Sequence, residues 1–130
     1  MKKIKFLGLA LIALAFAACT SSNTPEGATQ DMLTQLKKGN YEKIVDMMYF
    51  SKELSKDDKA QMVALFQGKV QPEINKHEGI ASFEIGEVTM AEDGEHATVA
   101  YTINYGDGTS KPSKNEVIKV DGKWMNDAGK

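Results

Sequence analysis

Moving a proton takes a carboxylate, a phenol or an imidazole, and this chain offers Asp46, Tyr49, His77, Tyr101 and Tyr105 for that work. Their spacing matches no catalytic motif. Asp46 falls between the apolar positions of a helical stretch and reads as solvated. His77 stands where a helix should end, a favourable place for a cation against the helix dipole. His77 and His96 are the only histidines and belong to no spaced ligand set, so no zinc site is expected. Three Asp-Gly pairs, at 93–94, 107–108 and 121–122, resemble fragments of calcium loops. Each lies between alternating runs, which makes them turns. We therefore assign no catalytic residue, no metal site and no cofactor from the sequence.

The residue with the clearest chemistry is Cys19, the only cysteine among 130 residues. It closes the segment MKKIKFLGLALIALAFAAC. Lys2, Lys3 and Lys5 form a positive start, and Phe6 to Ala18 is an unbroken small-and-apolar run. That run is short for a hydrocarbon core of roughly 30 Å but suits the h-region of a signal peptide. Phe16-Ala17-Ala18-Cys19 resembles a bacterial lipobox, with phenylalanine where leucine is usual three residues before the cysteine. The expectation is cleavage after Ala18 and lipidation of Cys19, whose acyl chains, at about 0.8 kcal/mol per buried CH₂, give a lasting membrane anchor. A single cysteine rules out an intramolecular disulfide. Residues 19–23 then form a lipidated flexible tether. The absence of aspartate after Cys19 favours, by analogy with lipoprotein sorting, the outer membrane with the domain facing the periplasm.

Composition narrows the partners. The chain is 42% hydrophobic and 26% charged, and all 16 of its basic residues are lysine. Removal of residues 1–18 takes three lysines and no acid, leaving 13 lysines against 18 acids and a net charge of −5. An acidic domain without arginine has neither the field nor the bidentate donors used on phosphate backbones, so nucleic acid is not an expected partner. Nor is there a polybasic patch for anionic lipid. The expected partners are the membrane, through the acyl chains, and a small molecule or an envelope protein.

Residues 24–130 are expected to be one domain. Its first half has helical period. Thr24-Pro25 reads as an N-cap and first helical position, Ala28, Met32, Leu33 and Leu36 share a face, and Gly39 stops the helix. Asn40 can cap a second short helix carrying Tyr41, Ile44, Val45 and Met48, and Tyr49 to Leu54 reads equally as loop or short edge strand. Ser55 with Asp58 resembles a capping box for a third helix burying Met62, Leu65 and Phe66. Pro72 should kink or end that helix, which can resume to His77 before Gly79 closes it. From Ile80 the pattern alternates. A phase slip at Gly86-Glu87 is what a β-bulge produces, and a bulge bends a sheet. Asp93-Gly94 reads as a two-residue hairpin turn. Ala97, Val99, Tyr101, Ile103 and Tyr105 share one face of the next strand. Pro112 keeps the following strand's start at an edge, and Asp121-Gly122 turns the last hairpin. The reading is an α+β domain, three N-terminal helices on a bent four-stranded antiparallel sheet.

The segments "LKKGNYEKIVDMM", "GIASFEIGEVTMAEDGEHATVAYTINYGDG" and "VIKVDGKWMN", after a lipobox, resemble small Gram-negative lipoproteins carrying domain of unknown function 4878. That family is similar to the nuclear transport factor 2-like, cystatin-like group, in which a bent sheet wraps helices into a cone. The resemblance implies the fold and no activity. Cone folds elsewhere hold isomerase- and dehydratase-like sites built from aspartate, tyrosine and sometimes histidine, so an isomerase- or hydrolase-type enzyme with a Tyr/carboxylate site is one alternative. A pocketless assembly partner is another. The leading expectation is a non-catalytic binding module. Phe83, Tyr101, Tyr105 and Trp124 fall on strand faces that should meet the helices, where aromatic residues ordinarily pack as core. The sharper expectation is that some of them, with Tyr49, line an opening of the cone.

Overall fold

The computed structural model describes residues 23–128. The leader and the expected lipidation site, Cys19, lie outside the described residues. Helix α1 (Pro25–Lys38) starts where Thr24 Oγ1 accepts from the Gly27 amide at 3.0 Å. It stops at Gly39, whose φ of 76° lets the Gly39 and Asn40 amides reach back to Leu36 and Gln35 carbonyls. Asn40 was expected to cap α2 (Tyr41–Asp46) with its side chain and does not. Its amide is committed to the end of α1, and the backbone there is too bent for the extended geometry that side-chain capping uses. Helix α3 (Lys56–Lys76) opens on the expected capping box between Ser55 and Asp58. It continues through Pro72 to Lys76, so the helix does not end at the proline. Gly68, whose carbonyl loses its partner to the proline, is exposed along with Pro72, and water can satisfy it there.

The sheet has five strands in the order β1-β5-β4-β3-β2. These are β1 (Met48–Tyr49), β2 (Ile80–Met90), β3 (His96–Tyr105), β4 (Ser110–Val120) and β5 (Lys123–Asp127). The expectation of four antiparallel strands is corrected by β1, which pairs parallel with β5 through Met48↔Asn126 and Tyr49↔Asp127. The anticipated bulge is present: the β2–β3 register shifts between Ile85 and Val88, across Gly86. Pro112 is accommodated because β5 covers β4 only at Val117 to Val120, leaving the proline end of the strand at an edge. Asp121 and Gly122 both have positive φ, 51° and 81°, as a two-residue turn of the twist-matched kind requires. The turn at Asp93-Gly94 is longer than expected: five residues, Ala91 to Glu95, separate the strands, and Asp93 Oδ1 accepts from the amides of Glu95 and His96.

The core lies between the sheet's inner face and the helices. One cluster joins Ala28 of α1 to Ala97, Val99, Val117 and Trp124. The other joins Leu33 of α1 and Ile74 of α3 to Ile103 and Tyr105. Among the described residues, two polar side chains are buried in this core, Thr29 and Asn126. Both are served by Asn115, whose Nδ2 donates to Thr29 Oγ1 at 3.0 Å and to Asn126 Oδ1 at 2.7 Å. Asn126 Nδ2 in turn donates to the Met47 carbonyl, tying the segment before β1 to the sheet.

The β3–β4 turn is docked on the end of α3. Gly106 and Asp107 amides donate to the carbonyls of Gly79 and His77 at 2.8 and 3.0 Å. A Cβ on Gly106 would stand 2.3 Å from the Glu78 carbonyl oxygen, so only glycine permits this approach.

Two stability predictions follow from these contacts. Asn115→Ala should cost about 1–3 kcal/mol in urea unfolding, because it leaves buried acceptors unpaired. Gly106→Ala should cost a similar amount, about 1–3 kcal/mol, by forcing the turn away from α3. A Gly106→Ala protein as stable as wild type would show that the docking contributes nothing.

Candidate functional site

Between α3, the second half of α1, α2 and the free half of β4 lies a cavity of about 410 Å³. Its body is apolar: Met32, Leu36, Ile44, Phe66, Val70 and Ile103. Polar groups enter the lining from α3 (Lys69, Glu73) and β4 (Lys111, Ser113), with the phenols of Tyr41, Tyr101 and Tyr105. The cavity lies under α3, a helix little buried along its length. Of its 21 residues only Ile74 is buried, next to the docked turn, while Phe66 and Val70 face the opening half-exposed.

The structure brings together some of the expected lining residues and separates others. Tyr101 and Tyr105 stand in the lining, on the β3 face read from the alternation. Phe83 packs against the cluster around Leu33, and Trp124 is only 6% exposed in the core with Ala28. Tyr49 lies in β1 beside Asp127, outside the lining. Asp46 is exposed and ion-paired with Lys59 of α3, as a solvated residue would be.

Beside the cavity sits a titratable cluster that the sequence did not single out as a unit. His77, at the C-terminal cap of α3, has Asp107 Oδ2 at 2.9 Å from Nδ1 and Glu73 Oε2 at 3.2 Å from Nε2. Thr109 Oγ1 donates to Asp107 Oδ1 at 2.6 Å and lies 3.3 Å from His77 Nδ1. The imidazole stacks on Tyr105, with ring centroids 4.7 Å apart. A carboxylate at each ring nitrogen favours the doubly protonated ring. The hydrogen bond to Asp107 therefore raises the His77 pKa above its ordinary value, with help from Glu73 and against partial burial. Hydrogen bonds from the Thr109 hydroxyl and amide, and then from His77, lower the Asp107 carboxyl to about 2. Burial, with the charges of Glu73, Tyr101 and Asp107, raises the Tyr105 phenol. Tyr41, also in the lining, donates to Gln71 Oε1 at 2.7 Å, and burial raises its pKa.

His77 itself was read as a cation at a helix end. Its partners were not legible, because Asp107 and Thr109 lie 30 and 32 residues further on. The Asp-x-Thr spacing of the Asp107 turn was the one local signal available. Lys111 and Ser113 were also missed, although counting back from buried Val117 in steps of two puts both on the inner face. Among the described residues no group of three or more His, Cys, Asp and Glu side chains is placed to hold a metal ion. No described helix is long and apolar enough to cross a membrane.

Three helices against a bent mixed sheet, with a cavity between them, define an α+β fold of the NTF2-like class. A Campylobacter jejuni protein described as a "Putative NTF2-like transpeptidase" has this fold: TM-score 0.65, 18% identity, covering 80% of this chain and 97% of that one. At that identity the likeness concerns the fold. The family described as Domain of unknown function (DUF4878) matches residues 17–125, and the chain belongs to it. No curated protein matches the chain.

The His77 cluster predicts a pH signature. A histidine with raised folded pKa stabilises fully below its unfolded value of about 6.5 and loses that contribution as pH rises through the folded value. Asp107 contributes above the unfolded carboxylate value of about 3.9 and loses its share as pH falls through its depressed one. The Tm gap between wild type and His77→Gln should accordingly be widest near about pH 5 and narrow toward about pH 9. A gap constant over that range would mean that His77 acts only by packing on Tyr105.

Proposed function

We propose that this protein is a non-catalytic, lipid-tethered binding module of the cell envelope that takes up a small apolar molecule between α3 and the sheet. The cavity carries the reading. A volume of about 410 Å³ lies within the range of roughly 300–1000 Å³ usual for ligand pockets. Its body is aliphatic and aromatic, with a few polar groups at the margin, the combination that binds by burial and orients by hydrogen bonds. Glu73, the carboxylate in the lining, is about half exposed and already bonded to His77.

Localisation belongs to the same proposal. Cleavage after Ala18 and acylation of Cys19 would tether the domain through residues 19–23 to the outer membrane, facing the periplasm. The support is the positive start, the short apolar run and the small residues before the cysteine.

Nile red, a neutral fluorophore that brightens in apolar surroundings, should bind the wild-type domain. Val70→Trp, which places an indole in the lining, should abolish that binding while leaving cooperative unfolding intact. Equal Nile red binding by wild type and Val70→Trp would move the binding site elsewhere. Mass spectrometry of protein from bacterial membranes should give an N-terminus at a diacylglyceryl- or triacyl-modified Cys19. An unmodified cysteine, or a start at another residue, would overturn the anchor.

A further inference from the structure

The inner face of β4 holds a lysine where the fold calls for apolar residues. Lys111 is paired with Ile103 and Ser113 with Tyr101, and directly opposed residues of an antiparallel pair share a face. Further along the same face are Asn115, bonded to buried Thr29, and Val117, which is 1% exposed. Lys111 thus stands on the face that buries Ile103 and Tyr105, and it lines the cavity. An inward lysine discourages edge-to-edge pairing, and this half of β4 is an edge. That cannot explain Lys69, which enters the same lining from α3. Among the described residues neither lysine is in an ion pair, whereas Glu73, the one carboxylate in the lining, is bonded to His77. The unmatched charge at the cavity is positive, in a chain whose net charge is negative.

We propose, resting on the binding-module reading, that the ligand is a single-chain carboxylate: an apolar tail among Leu36, Phe66 and Val70, and an anionic head held between Lys69 and Lys111. A charge-assisted hydrogen bond to each ammonium supplies the selectivity, with the Ser113 hydroxyl as a further donor. The volume of about 410 Å³ is near the small end for ligand pockets and fits one short chain rather than a diacyl lipid.

Decanoate and decanol, equal in tail and different in charge, are the probes. Both should displace Nile red from the wild-type domain, decanoate at a concentration lower by about tenfold or more. In the Lys69→Gln/Lys111→Gln double variant the two should become equal, each displacement being read against that variant's own Nile red affinity. Both lysines are exposed, so the variant should fold, and its far-UV circular dichroism is the control. Equal displacement by the two probes in wild type, or a preference that survives the double substitution, overturns the carboxylate assignment and leaves the cavity reading standing. Failure of Nile red to bind at all overturns both.

Discussion

The close approach of Gly106 to the Glu78 carbonyl governs much of this molecule. It allows two amides of the β3–β4 turn to meet the carbonyls of His77 and Gly79, at the cap of α3 and just beyond it. A 21-residue helix with one buried residue cannot be held by its own apolar face. It is held instead at its end, through the docked turn, the Ile74 contact and the carboxylates around His77, and along its side by α2, through the Tyr41–Gln71 hydrogen bond and the Asp46–Lys59 pair. One turn before Ile74, Val70 packs against the cluster around Leu33, and the cavity is the space left between the helix and the sheet.

The opposite end of the domain is managed differently. There the start of α1 lies on the sheet, with Ala28 and Thr29 buried, and Trp124 packs in the core with Ala28. Asn115, Thr29 and Asn126 pin this contact with buried hydrogen bonds, which set register more strictly than apolar packing would. One sheet therefore carries a closed half under α1 and an open half under α3. Membership of the DUF4878 family and the NTF2-like fold agree with this architecture and leave its chemistry to be argued from the open half.

That chemistry is one of placement more than of reactivity. His77 is held between two carboxylates and a phenol ring, which leaves each partner already engaged. The lysines of the lining have no such engagement, so the cavity has a neutralised corner at Glu73 and an unmatched one at Lys69 and Lys111.

Signals between near neighbours were legible from the sequence alone. Thr24 and Gly39 bound α1, Ser55 and Asp58 start α3, the phase slip marks the bulge at Gly86, and alternation assigns the inner face of β3. Each is set by backbone groups within a few residues, so local residue types suffice. What only the tertiary structure decided involves partners far apart in the chain. The two residues of β1 become a strand because β5, 78 residues later, offers its edge. The choice of Tyr101 and Tyr105 for the cavity and Trp124 for the core depends on which helix lies over each end of the sheet. Aromatic residues on an inner strand face look alike until the opposing helix is in place, because burial is a property of both surfaces and the sequence of one strand describes only its own.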